Sequence, residues 1–89
     1  MNLLFIEDDV SLVATLGESM RARGWSVECV AAGSAARLAL LDHAFCVIVL
    51  DIGASPRSGL SMLKWLRARH DSTPVLMLAE HSQASMRVE

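Results

Sequence analysis

An α/β fold on a parallel sheet is predicted for this 89-residue chain by three observations. Short apolar runs alternate with segments of helical periodicity about 10 to 14 residues long, which need right-handed crossovers. The apolar runs are too uniform to leave one face wet, as strands covered on both sides require. No linker, repeat or low-complexity stretch interrupts the alternation.

NLLFI, residues 2–6, is a continuous apolar run ended by charges, and reads as the first strand. SLVATLGESMRARG follows with Leu12, Leu16 and Met20 at helical steps and Gly24 as its stop, an amphipathic helix. Gly17 inside it costs about 1 kcal/mol relative to Ala, so close packing or marginal stability is expected there. WSVECV (25–30) is a strand; Gly33 gives a turn, Ser34 an N-cap, and AARLALLDH the second helix. FCVIVL is a strand, LSMLKWLRARH a helix and PVLML a strand. The polar EHSQASMRVE then reads as the opening turns of a helix that the chain does not finish.

Composition excludes several function classes. Eight Lys and Arg against ten Asp and Glu leave a net charge of −2, with no basic surplus for general nucleic-acid binding, so DNA is not expected as a direct partner. No apolar run approaches the ~20 residues of a membrane span. MNLLFI is short, lacks a positive flank and runs into Glu7, so it is not a signal peptide, and a cytoplasmic location is expected. Cys29 and Cys46 suit small buried hydrophobes better than a metal knuckle or redox pair. His43, His70 and His81 lie at segment ends without ligand spacing; Met20, Met62 and Met77 fit core positions; Trp65 is balanced between core and an exposed contact surface.

The chemistry lies in carboxylates at strand ends. Glu7, Asp8 and Asp9 follow the first strand and Asp51 follows the third. In open α/β sheets, ligands bind at the carboxyl edge beside the point where the strand order reverses. If strands one and three are neighbours, the acids converge there, and a hard divalent cation relieves their repulsion. Mg²⁺ is the natural candidate, with Asp9 better suited to capping the first helix.

LLFIEDD, an Asp 43 residues beyond Asp8, and a Gly eight residues after that Asp, together with FCVIVLDIG, SGLSMLKWLRAR and TPVLML, resemble the receiver domain of bacterial two-component response regulators. The resemblance covers the whole chain and is nearest to receivers that precede winged-helix DNA-binding domains. It implies a flavodoxin-like fold with strand order 2-1-3-4, the fifth strand and fifth helix missing, as a single domain over 1–89 that reads as truncated. It also implies that Asp51 is the phosphoacceptor, taking a phosphoryl group from a sensor histidine kinase, and that Glu7, Asp8, Asp51 and the Gly53 carbonyl hold Mg²⁺.

Departures from the family pattern bear on activity. Ala79 stands where receivers carry Ser or Thr, no Lys follows Lys64, Pro56 comes one residue later than is common, and Cys46 replaces a frequent acid. A noncatalytic pseudo-receiver acting as an interaction module is the main alternative. A haloacid dehalogenase-type phosphatase is disfavoured because Gly53 stands where its second Asp belongs. Without the missing elements, the fourth strand is expected to be an open edge and side chains from Leu3 to Ile6 and Val47 to Leu50 to lie bare. A two-fold homodimer is the expected remedy.

Overall fold

The computed structural model describes residues 1–31, 33–51, 56–79 and 85–88, with Val10, residues 56–58, Ala79 and residues 85–88 described by backbone alone. β1 (Asn2–Ile6) is central, pairing in parallel with β2 (Ser26–Val30) on one side and β3 (Val47–Asp51) on the other. β4 (Val75–Ala79) pairs in parallel with β3. The order 2-1-3-4 is the one expected, and the described residues include three helices: α1 (Val10–Ala22), α2 (Ser34–Asp42) and α3 (Pro56–Ala68).

One element differs in kind. Ser85–Val88, expected within an unfinished helix, forms a strand, β5, antiparallel to β4, with Leu76 opposite Val88 and Leu78 opposite Met86. A fifth strand is therefore present, though it is not a parallel one. The edge of β4 offers unpaired N–H and C=O groups, and a nearby segment of the same chain satisfies them at lower entropic cost than a second chain. β4 is not an open edge.

Helix ends differ in smaller ways. α1 begins earlier than its periodicity indicates because Asp9 caps it, its Oδ1 accepting from the Ser11 and Leu12 N–H groups at 3.0 and 3.2 Å. Ser34 is not the cap of α2; Gly33 is, without a side-chain bond, and Ser34 lies inside the first turn. α3 begins at Pro56, whose fixed φ and missing N–H suit the first helical position.

Reversal of chain direction across the sheet puts α1 on one face and α2 with α3 on the other. The α2–α3 face holds the main core: Leu4, Ile6, Ile48, Leu50, Val75 and Met77 from the strands meet Ala36, Ala39, Leu40, Met62 and Leu66. On the α1 face Leu3 and Phe5 are buried as well. The expected exposure of Leu3–Ile6 and of all of Val47–Leu50 is therefore wrong. On that face Val47, Val49, Leu76 and Leu78 are half-buried, as are Val27 and Cys29 on β2; α1 lies towards β2 and leaves β3 and β4 thinly covered.

Cysteine placement also corrects the expectation, since Cys46 is exposed and Cys29 half-buried. Met62 and Met77 are core residues as expected, Met20 is half-buried, and His43 and His70 are exposed; His81 lies outside the described residues. Gly17 is the close approach that its position required. The Arg21 side chain crosses it, so that a Cβ there would sit 3.2 Å from Nη1, and Arg21 Nη2 then donates to the Val27 carbonyl at 2.9 Å. Ser26 N–H and Val30 C=O face β1, so the alternation of a parallel ladder turns Val27 C=O towards the outer edge of β2.

Two helices end in the same hydrogen-bonded motif with different residues at its left-handed position. In α1, Trp25 N–H bonds the Met20 carbonyl and Gly24 N–H that of Arg21; in α3, Asp71 N–H bonds Leu66 and His70 N–H bonds Arg67. Gly24 has φ 93° and His70 φ 60°. A side chain at positive φ costs about 1 kcal/mol or more. In urea unfolding, Gly24→Ala is expected to lower stability by about 1 kcal/mol, and His70→Gly to leave it unchanged or raise it by up to ~1 kcal/mol.

Candidate functional site at the carboxyl edge of the sheet

The register that pairs Ile6 with Leu50 carries one step further to Glu7 and Asp51. Strands of matching length on neighbouring tracks therefore end on two acids side by side. Asp51 is the last residue of β3 and is half-buried; the N–H of Glu7 is held by the Val30 carbonyl at 3.0 Å, which fixes the backbone that follows β1. The Glu7 carboxylate is anchored in turn, its Oε1 accepting from Asp9 N–H at 2.8 Å. Asp9 thus caps α1 with its side chain and positions Glu7 with its backbone.

The other Glu7 oxygen, Oε2, is buried and meets no hydrogen-bond donor among the described residues. The Asp51 carboxyl lies beside the Glu7 carboxyl, and the two can hydrogen-bond only if they share a proton. Burial, followed by that contact and the Asp51 charge, pushes the Glu7 carboxyl up to about 7, although the N–H groups of Asp9 and Asp8 pull the other way. Two carboxylates with one orphaned oxygen form a pair that needs a positive charge between them, supplied by a proton or by a cation.

The structure brings Glu7 and Asp51 together but leaves Asp8 exposed, and no three His, Cys, Asp or Glu side chains among the described residues form a metal-holding group. Gly53 lies outside the described residues, and Ala79 is placed by its backbone alone at the end of β4, one strand from Asp51. The donor set still fits Mg²⁺, which keeps several waters and commonly takes only one or two carboxylates from the protein. Sequence spacing identified the acids without distinguishing Glu7 from Asp8 as the partner of Asp51. Counting both strands to their last apolar residue, Ile6 and Leu50, would have done so.

A model of the response regulator receiver domain matches residues 3–89. The chain belongs to the response regulator receiver family. It is 41% identical over 88 residues to response regulator protein PmrA of Pseudomonas aeruginosa, a match covering 99% of this chain and 40% of that protein. It is 35% identical to the transcriptional regulatory protein TctD of Salmonella typhimurium, over all of this chain and 40% of the relative. The chain therefore spans about two fifths of the length of these relatives. Among solved structures, the receiver domain of the Francisella response regulator 1452 superposes with a TM-score of 0.82 at 24% identity, covering 92% of this chain and 68% of the other. Chemotaxis response regulator CheY4 of Vibrio cholerae gives 0.80 at 25% identity, covering 92% and 70%.

The Glu7–Asp51 contact makes stability depend on pH. Unfolded, Glu7 titrates near 4.5; folded, near 7. Between these values the folded receiver holds a proton that the unfolded chain has released, so this contribution is fully present below 4.5 and is lost as pH rises through 7. Without metal, the urea midpoint is expected to fall between pH 5 and pH 8. A cation bound there would take the proton's place, so any stabilisation by Mg²⁺ is expected to be larger at pH 8 than at pH 6, and Glu7→Gln should flatten both trends.

Proposed function

We propose that this receiver accepts a phosphoryl group on Asp51 from a sensor histidine kinase, with Glu7, Asp8, Asp51 and the Gly53 carbonyl holding Mg²⁺. The observation that supports this most directly is the half-buried Asp51 carboxylate at the end of β3, facing a Glu7 oxygen with no donor of its own. One Asp51 oxygen forms the new P–O bond as the P–N bond of a phosphohistidine breaks. The imidazole nitrogen leaves with the bonding electrons and takes a proton from solvent. Bound Mg²⁺ supplies charge neutralisation between the carboxylates and the incoming phosphoryl oxygens. Glu7 holds its place through the Asp9 N–H, and Asp51 through the β3 ladder. The setting that fits this chemistry is the cytoplasm.

Transfer of this kind depends on electrostatic positioning of the phosphoryl oxygens. A methyl group at Ala79 cannot donate to them. Reactivity is therefore expected to be impaired. Acetyl phosphate with Mg²⁺ should modify Asp51 slowly, Ala79→Thr should raise the rate in part, and Asp51→Asn should abolish modification, all read by intact mass. Rapid stoichiometric labelling of the unaltered chain would contradict the impairment. No labelling of either Ala79 form would favour a noncatalytic interaction module instead.

The homodimer belongs to this reading in a narrower form. β5 occupies the β4 edge, which leaves the half-buried Val47, Val49, Leu76 and Leu78 as the surface a second copy would cover. Face-to-face packing of such patches closes under two-fold symmetry. Sedimentation at micromolar concentration is expected to show a dimer that Leu76→Glu converts to monomer; a monomeric parent chain would remove the dimer from the proposal.

A further inference from the structure

Charge is unevenly divided between the two sides of this molecule. Arg37, Lys64, Arg67 and Arg69 belong to α2, α3 and the turn after α3, four of the chain's eight basic residues, whereas α3 contains no acid and α2 only Asp42. A chain of net charge −2 thus carries a basic helical layer, away from the acids at the carboxyl edge. Arg67 is occupied, donating to the Asp71 carbonyl at 2.7 Å. Arg37 and Lys64 form no ion pair among the described residues.

Trp65 organises this layer. It packs on the core, and the guanidinium groups of Arg37, from α2, and Arg69 lie 5.6 and 4.7 Å from its ring centre. Cations over an aromatic ring are attracted by its quadrupole, which biases these two guanidinium groups towards preset positions. Arg37 Nε is buried without a hydrogen-bond partner among the described residues. Beside the preset cations are apolar side chains where a solvated helix would carry polar ones. Leu38 and Leu41 are 59% and 56% exposed on α2, and Leu41 shares the i, i+4 stripe with Arg37; Leu60, on α3 one turn before Lys64, is 48% exposed.

We propose that the α2–α3 layer is a docking surface for an acidic amphipathic segment of a partner protein, its carboxylates meeting Arg37, Lys64 and Arg69 and its apolar side chains covering Leu38 and Leu41. Charge complementarity selects the acidic partner, and the leucines select protein. A nucleic acid finds no stacking platform here, because the Trp65 ring is already taken by two guanidinium groups. This surface is separate from the carboxyl-edge site and does not depend on phosphorylation.

The test uses the 89-residue chain with Trp25→Phe, so that emission reports Trp65 alone. The probe is a synthetic helical peptide with Leu at i, i+3 and i+7 and Glu on the flanking positions. Saturable binding, weakened about tenfold by Lys64→Gln with Arg69→Gln, as two exposed ion pairs imply, and lost with Leu38→Ser and Leu41→Ser, is the expected result. Circular dichroism establishes that these surface variants fold. Equal binding of the Lys-substituted peptide, no saturable binding of the Glu peptide, or preferential binding to phosphatidylglycerol vesicles or a single-stranded RNA oligonucleotide would each overturn the proposal.

Discussion

The parallel pairing of β1 with β3 is the constraint on which the rest of this receiver depends. It sets Glu7 beside Asp51 and puts the reversal of strand order at that point. It also requires β1 to be covered on both faces, which is why Leu3, Leu4, Phe5 and Ile6 are all buried. A slip of one residue would turn every side chain of the strand to the wrong face and separate the two acids. Core packing and site geometry are therefore fixed by the same hydrogen-bonded register.

The acids at that edge oppose stability. Glu7 is held by a backbone N–H on one oxygen and left without a donor on the other, against a second carboxyl. A fold selected for stability alone would place an amide or a hydroxyl there. The repulsion between the two acids is what a proton, or a cation at that edge, would relieve.

Much of this was legible in the sequence. The four parallel strands, the three helices and the Asp9 cap follow from apolar runs, periodicity and one capping residue, and the strand order from the resemblance to receivers. What escaped is instructive. Residues 85–88 carry too little apolar pattern to be read as a strand, and their state is decided by the vacant hydrogen-bonding edge of β4, which is a property of distant residues. The burial of Leu3 and Phe5 depends on where α1 comes to rest, and the contact between Arg37 and Trp65 joins side chains 28 residues apart on two helices; neither is encoded in local spacing. Only the i, i+4 step from Trp65 to Arg69 could have been noticed.

The bond from Arg21 to the Val27 carbonyl closes one lateral face of the sheet to neighbours. An endless ribbon of molecules joined strand to strand needs two compatible edges on every copy, one to give and one to receive. On the β2 side a guanidinium already occupies the Val27 carbonyl and Glu28 is exposed, two features that disfavour pairing with a further strand. A single arginine passing over a glycine thus works against edge-to-edge pairing on that side of a small, apolar-rich domain.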